Sequence, residues 1–367
     1  LSRFRESGIL LIDITIKAIP RDYKLPPKDL CDDFKRNSSI LNRLPIVRKS
    51  LKFPVNHFMI LYSYFKPTNM KKTLFFIALC CSIIATAQYD IVYNLEKDGI
   101  YPQNLVVTSE QKQVVNGQPQ DITTIISTES DYIVTDIKDG IYSIDIIVKK
   151  MSNTTKTVMG TETMSSNGAS SNPMNQMFKN MIKDPIKITM NTKGELLSFD
   201  NSAQLTGLTE GMKLPEMQLL QIEGAMKKEM SAEKQIDSYS KITQILPTKE
   251  IHIGDSWEQV TTVNSIATFK STTTYILEGV TEESYMINSS AMVTTPENAT
   301  TDLMGMKAKY DLYGPSKATY TIDKKTGWIK KASFEQSLEG TVVIEKSETI
   351  PQEVKITMSS TTTTLIE

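Results

Sequence analysis

The sequence predicts a β-dominated α+β fold: two related antiparallel β-sheet units, as two sheets or as one curved half-open sheet, joined by a helical segment. Two observations predict this class. Segments rich in β-branched and aromatic residues, which favour strands, fill 89–150 and 251–367. Between them, apolar residues recur near the helical period in 203–245. The predicted parts are a first β unit at 88–202, a helical connector at 203–250 and a second β unit at 251–367.

A signal peptide is expected at 70–87, ahead of the first β unit. Met70 is followed by two lysines and an apolar stretch, and Ala85-Thr86-Ala87 is a small-x-small motif before Gln88. A positive head, an apolar core and a small-residue cleavage site in this order are the parts of a secretory signal peptide. The sequence therefore predicts cleavage between Ala87 and Gln88 and a mature protein outside the cytoplasm.

Residues 1–69 precede this signal, and two interpretations of them are open. Either the segment lies upstream of the true start and is not translated, or it is a disordered extension and 70–87 anchors the chain. The apolar stretch is shorter than the roughly 20 residues that a helix needs to cross a bilayer, which favours the first interpretation. Lipidation of Cys80 or Cys81 is disfavoured, because Leu79 and Cys80 stand where a lipoprotein signal has a small residue.

Composition narrows the function classes. Residues 88–367 contain 26 Lys+Arg, 36 Asp+Glu and no cysteine. This acidic balance disfavours nucleic acid, whose phosphates are neutralised by Lys and Arg, and the absence of cysteine removes disulfides and thiol nucleophiles. The one histidine of this region, His252, offers neither a usual zinc site nor a serine-hydrolase motif. We therefore expect no metal, no cofactor, no catalytic residue and no enzyme activity.

The first β unit is justified by strand segments that alternate with turn dipeptides. Runs that begin at Asp121 and Ile141 are rich in Ile, Val, Thr and Tyr. Asn116-Gly117 and Asp139-Gly140 flank such runs and supply the positive φ angles that tight hairpins need. Residues 152–173 contain mostly Ser, Asn, Thr and Gly without periodicity, so a flexible loop is expected there.

Two helical stretches are expected next. A short one at 173–182 places four large apolar residues on one side, namely Met174, Met177, Phe178 and Met181. The longer stretch lies in the connector. Pro215 suits its first turn and Pro247 marks a stop beyond its end.

The two β units resemble each other and predict an internal repeat. Tyr132 and Tyr142 lie ten residues apart across a turn, as do Tyr275 and Tyr285. In addition, the segment that ends at Gly194 parallels the one that ends at Gly327, and a glycine shortly precedes Tyr101 and Trp257. Three features in the same order favour a divergent duplication over coincidence between Thr-rich hairpins.

The chain also resembles an uncharacterised family of exported, β-rich proteins from Gram-negative bacteria. Four segments carry the resemblance: Leu95–Tyr101, Val115–Gln118, Asp184–Ile188 with Lys193-Gly194, and Ile253–Trp257. The resemblance covers most of 88–367 and rests on turns and strand starts. It implies a location in the periplasm or at the cell surface and a β-rich fold, and it implies no activity.

Methionine is the enrichment most relevant to function, since 16 of the 18 methionines lie in 88–367. Three interpretations compete: adaptable core filling, a soft lining for an apolar ligand or partner, and copper(I) binding by thioethers. If the methionine-bearing helices line a ligand site, six of their apolar residues are expected to do so: Met177, Phe178, Met181, Met217, Leu220 and Met226.

The leading functional prediction is an exported non-catalytic binding protein for an apolar small molecule or an envelope protein. Half-open sheets with helices in the concave face build periplasmic lipid carriers, which supports this prediction by analogy. The first alternative is a structural or adhesive protein of the cell envelope. The second is a hydrolase that uses carboxylates alone, since the chain has many aspartates that could form a pair.

Overall fold

Thirteen strands and four helices are found among the residues that the computed structural model describes, which are 87–367 except 116, 265–266, 298, 304–305 and 348–351. The expected signal peptide up to residue 86 and the segment 1–69 lie outside these residues. The strands are β1 (Ile100–Val115), β2 (Gln118–Lys138), β3 (Ile141–Thr157), β4 (Gly160–Ser165), β5 (Ile186–Asn191), β6 (Leu196–Asp200), β7 (Ser256–Asn264), β8 (Thr268–Val280), β9 (Ser284–Thr294), β10 (Thr300–Leu303), β11 (Met306–Asp323), β12 (Ile329–Ile344) and β13 (Val354–Ile366). The helices are α1 (Pro173–Met181), α2 (Ser202–Thr206), α3 (Glu216–Glu229) and α4 (Ala232–Thr243).

All of these strands belong to one antiparallel sheet, which confirms the predicted β-dominated α+β class. The strand order is β6-β5-β3-β2-β1-β13-β12-β11-β9-β8-β7, with β4 on β3 and β10 on β11. The last strand, β13, joins the two halves, because it pairs with β1 around Ser109↔Thr362 and with β12 around Gln336↔Thr362. The two predicted units are therefore parts of a single sheet that is not closed into a barrel.

Helix α4 lies at the two edges that the sheet leaves unpaired. It contacts both β6 and β7, the outermost strands of the sheet order. On the β6 side, the rings of Phe199 and Tyr239 are 5.3 Å apart. On the β7 side, Trp257 Nε1 donates a hydrogen bond to Ile245 O, just beyond the helix, at 3.1 Å. A helix thus occupies the place where a further strand would complete a ring.

The principal core is one apolar cluster that draws side chains from both halves of the sheet and from the segment 87–99. Its fully buried members include Ile91, Ile144, Leu277, Ile287 and Ile322. The segment runs between two hairpin turns, because Tyr93 N donates to Thr192 O and Asn94 N donates to Thr326 O, each at 2.8 Å. Residues 87–99 therefore fill the space between the halves without joining the sheet as a strand.

Two local predictions have different outcomes. Asp139 and Gly140 have φ angles of 52° and 76° and form the expected tight hairpin, and Gly117 has a φ angle of 78°. Residues 152–165, expected to be a flexible loop, are instead the end of β3 and the whole of β4. Their Thr residues suit strands, and burial of Met164 on one face stabilises a segment whose composition resembles a loop.

No helix of the described part is long and apolar enough to cross a membrane.

Candidate functional site

A second apolar cluster lies apart from the principal core, around α1, β4 and the segment 201–230. We call it the methionine cluster. Its buried apolar side chains are Met164, Met174, Met177, Phe178, Met181, Leu208, Met212 and Ile222. Five of these eight are methionines, whereas the buried members of the principal core include a single methionine, Met190. The methionine cluster and the principal core therefore differ in residue composition as well as in location.

Helix α1 forms because its start is well capped and its apolar residues share one face. Asn172 Oδ1 accepts a hydrogen bond from Met174 N at 2.9 Å, and Pro173 occupies the first turn. Met174, Met177 and Met181 recur at three- and four-residue spacing, and all three are buried. The cap and the apolar stripe together fix which side of α1 faces the cluster.

Two buried asparagines tie α1 to its neighbours. Asn175 Oδ1 accepts from Ser165 N at 2.8 Å, which joins the helix to the end of β4. Asn180 Nδ2 donates to Leu208 O and to Glu210 O, each at 2.9 Å, which joins it to the loop before α3. Hydrogen bonds from amide side chains to the backbone therefore hold the frame of the cluster, and the flexible methionines fill it.

The outer part of the region is held by polar contacts nearer to solvent. Thr209 Oγ1 donates to Glu223 Oε1 of α3. Lys183 Nζ and Glu210 Oε2 form an exposed ion pair at 2.9 Å, and the hydrogen bond from Lys183 lowers the pKa of the Glu210 carboxyl. Gln204 Nε2 donates to Asp184 O at 3.0 Å and fixes α2 to the strand start. An exposed pair of this kind adds little stability, so the amide bonds matter more.

The six residues predicted to line a ligand site fall into two groups. Met177, Phe178 and Met181 are 4, 8 and 9% exposed and lie together in the methionine cluster. Met217 and Leu220 are 68 and 57% exposed on α3, and Met226 is half-buried. The structure brings the first three together and leaves Met217 and Leu220 facing solvent. The role of all six in binding stays a prediction, as does cleavage between Ala87 and Gln88, which are both exposed.

One polar residue of this region was not foreseen from the sequence. Asn153 on β3 pairs with Met164 of β4 and with Ile126 of β2, and it is 5% exposed. Its Oδ1 is shielded from solvent and has no hydrogen-bond partner among the described residues. In the sequence Asn153 stands in a run of Ser, Asn and Thr, which gives no signal of burial.

Several titratable groups of the described part have pKa values that their surroundings shift. His252 lies in an exposed turn, where Asp255 Oδ2 accepts from His252 N at 2.8 Å and lies 3.2 Å from Nδ1. These hydrogen bonds lower the pKa of Asp255. Elsewhere, burial raises the pKa of the Tyr239 and Tyr275 hydroxyls to about 12. No group of three His, Cys, Asp or Glu in this part of the chain is placed to hold a metal ion.

Comparison with known proteins identifies a family and distant folds. The model of a family of unknown function (DUF6263) matches residues 139–329, just over half of the chain. No curated protein matches the sequence. The COG4313 outer membrane channel from Pseudomonas putida F1 has a TM-score of 0.21 at 7% identity, over 75% of this chain and 97% of that chain. A DUF1329 family protein from Desulfovibrio piger ATCC 29098 has a TM-score of 0.10 at 7% identity, over 70 and 83%. Scores this low carry no functional argument.

Proposed function

The chain belongs to the family of unknown function DUF6263, and we propose that it is an exported, non-catalytic binding protein that holds an apolar ligand in the methionine cluster. The composition of the cluster carries the proposal. Its methionines stand apart from a principal core built from Ile, Tyr and Leu. Unbranched thioether side chains adapt to irregular partners, and methionine is over-represented at surfaces that bind several ligands.

The non-catalytic part of the proposal is supported by the carboxyl groups. Glycoside hydrolysis by two carboxylates needs an acid whose pKa is raised. In the described part, the carboxyl groups with a resolved shift, Glu96, Asp136, Asp200, Glu210, Asp255 and Asp323, all have a lowered pKa. A lowered pKa keeps the group ionised at neutral pH, which suits surface ion pairs and turns rather than proton donation.

A protein partner is a second candidate, and one observation favours it. Met217 and Leu220 are three residues apart on α3, so they share the exposed side of this helix. The buried Ile222 lies on the other side, and Glu223 accepts a hydrogen bond from Thr209 Oγ1, which ties α3 to the segment before it. An envelope protein could dock on this exposed side of α3 without disturbing the buried side chains of the methionine cluster.

Export and duplication belong to the same proposal. Export is supported by the signal-like residues 70–87 and by the exposure of Ala87 and Gln88. Duplication is supported by the strand order, since β6-β5-β3-β2-β1 in the first half has a counterpart in β12-β11-β9-β8-β7 in the second half. In this correspondence β13 and α4 have no counterpart strand, and they lie at the two junctions between the halves.

A binding and melting experiment tests the apolar site. Wild-type protein should bind diphenylhexatriene, a fluorescent hydrocarbon probe. The variant M177Q should lower the affinity about tenfold, since it places an amide among buried hydrocarbon. M190Q makes the same change in the principal core, so it should lower the melting temperature and leave probe affinity well below that temperature unchanged.

The exposed variant M217K separates the two candidates. It should leave the melting temperature and probe affinity unchanged if the probe occupies the cluster, because Met217 faces solvent. A large loss of probe affinity in M217K would place binding on α3 instead. Absence of probe binding by the wild-type protein would overturn the apolar-ligand proposal and favour a structural or adhesive role in the envelope.

A further inference from the structure

The amide oxygen of Asn153, which has no hydrogen-bond partner among the described residues, belongs to a side chain on the face of the sheet that α1 covers. Asn153 and Met164 are direct partners across β3 and β4, and partners in an antiparallel pair project to the same face. Both are buried, whereas Ser152 and Thr154, which project to the opposite face, are partly exposed. Helix α1 contacts β4, and Asn175 bonds to the next residue, Ser165. Asn153 therefore belongs to the wall of the methionine cluster.

This asparagine differs from the other buried amides around it. Asn175 and Asn180 each use both amide atoms in hydrogen bonds to the frame of the cluster. Asn153 Oδ1 has no such partner in the described part of the chain, and the neighbours of Asn153 across the strands, Ile126 and Met164, are apolar. A buried acceptor without a donor destabilises a fold, because it has lost its hydrogen bonds to water without replacing them. A leucine would fill the same place without that cost.

We infer that Asn153 recognises the polar end of the ligand, so that the ligand is an apolar molecule with a hydrogen-bond donor, of the class of long-chain alcohols. The hydroxyl donates to Asn153 Oδ1 and the hydrocarbon contacts the methionines. This inference rests on the proposed function, because it needs an apolar ligand in the cluster. It adds the chemical class of the ligand and the residue that selects it.

The test uses diphenylhexatriene, a hydrocarbon probe with no donor, and two competitors of equal chain length. Dodecanol has a hydroxyl donor, and dodecyl methyl ether has an acceptor only. With wild-type protein, dodecanol should displace the probe about fivefold to tenfold more effectively than the ether, which corresponds to one hydrogen bond to a buried acceptor. The variant N153L should still bind the probe and should lose the preference for the alcohol.

A control and the contrary outcomes complete the test. N288L makes the same change at an exposed position of β9 and should keep the preference. Equal displacement by the alcohol and the ether in the wild type would overturn the inference while leaving the proposed function intact. A higher melting temperature of N153L with an unchanged preference for the alcohol would also overturn it, since Asn153 would then destabilise the fold without recognising the ligand. Failure of the wild type to bind the probe would overturn both.

Discussion

Two glycines determine how closely two hairpin turns approach the neighbouring backbone, at the segment 87–99 for one turn and at the end of α4 for the other. Gly194 and Gly327 have φ angles of 84° and 69°. A Cβ atom on Gly327 would lie 2.0 Å from Val92 O, and one on Gly194 would lie 2.0 Å from Thr243 O. Positive φ and close backbone contact both require glycine here. These glycines end the two segments whose similarity predicts an internal repeat.

The variant G327A should therefore be far more costly than a matched glycine substitution. Gly117 also has positive φ, at 78°, but a Cβ there meets no atom within 4 Å. We expect G117A to lower the free energy of unfolding by about 1 kcal/mol, the cost of a left-handed residue. G327A should lower it by about 2 kcal/mol more, because the backbone of Val92 must also move. Urea denaturation of both variants measures this, and equal losses would contradict the packing of the turn on residues 92–93.

The sequence predicts turn glycines better than it predicts buried amides. Asp139-Gly140 is a local signal, since the preferred turn type follows from the two residues themselves. Asn153, Asn175 and Asn180 stand in a stretch whose composition resembles a loop, and their burial depends on partners elsewhere in the chain. Asn180, for example, bonds to Leu208 O, 28 residues away. Such contacts exist only after the chain has folded, and a single sequence does not reveal them.

Among the elements, the extended segment 87–99 has the largest structural role for its size. Ile91, Tyr93 and Leu95 are buried in the principal core. Tyr93 Oη donates to Thr243 O at 3.1 Å, and Tyr142 Oη donates to Tyr93 O at 2.8 Å. The segment thus connects the end of α4 with the first half of the sheet. Its alternation of apolar and polar residues fits a strand. Its backbone nevertheless bonds mainly to the sheet connections, and its end bonds to β2, where Asp98 N donates to Val134 O at 2.8 Å and Val134 N donates to Gly99 O at 3.0 Å.

Removal of residues 88–95 should abolish cooperative unfolding, because the halves of the sheet would lose the apolar side chains that lie between them. The free energy of unfolding lost with this buried apolar area should exceed the whole free energy of unfolding of a typical domain. Circular dichroism during heating and binding of a hydrophobic dye report the outcome. As a control, replacement of Val158-Met159 at the exposed β3–β4 turn by Asn-Gly should keep a sharp transition. A cooperative transition in the shortened chain would contradict the role of this segment.

The helical connector illustrates how far element prediction reaches. Periodicity and Pro215 indicate a helix at the right place, and α3 begins directly after this proline. The structure divides the connector into α2, α3 and α4, and the sequence did not separate them. The division depends on tertiary contacts, since α4 contacts β6 and β7 while α2 contacts α1 and α3.

For the whole molecule, the fold class follows from the sequence and the joining of the halves does not. Alternation and turn residues act within a few positions, so they identify strands without identifying distant partners. The pairing of Ser109 with Thr362 connects residues about 250 positions apart, and no periodicity reports it. The sequence therefore leaves open whether the two halves form two sheets or one. In the structure they form one, because β13 lies between β1 and β12.

The exported protein should begin at Gln88, with or without cyclisation of this residue. Among the described residues, Tyr89 lies next to the expected cleavage site and is fixed to the fold, because its backbone N and O both bond to Ile251, at 2.8 and 3.0 Å. Cleavage after Ala87 would then leave every described contact of Tyr89 intact. The intact mass of the secreted product measures this. A product that retains 1–69, or one with a lipid on Cys80 or Cys81, would contradict it.

The position of β13 also has a kinetic consequence. It follows every other described strand along the chain, so the pairing that joins the two halves of the sheet must wait for the last described strand. Contacts between such distant residues form slowly, because a long loop must close first. Until then, β1 and β12 expose unpaired edges that could pair with other chains. A chain with this topology completes its sheet only when β13 pairs, so slow pairing prolongs the exposure of these two edges.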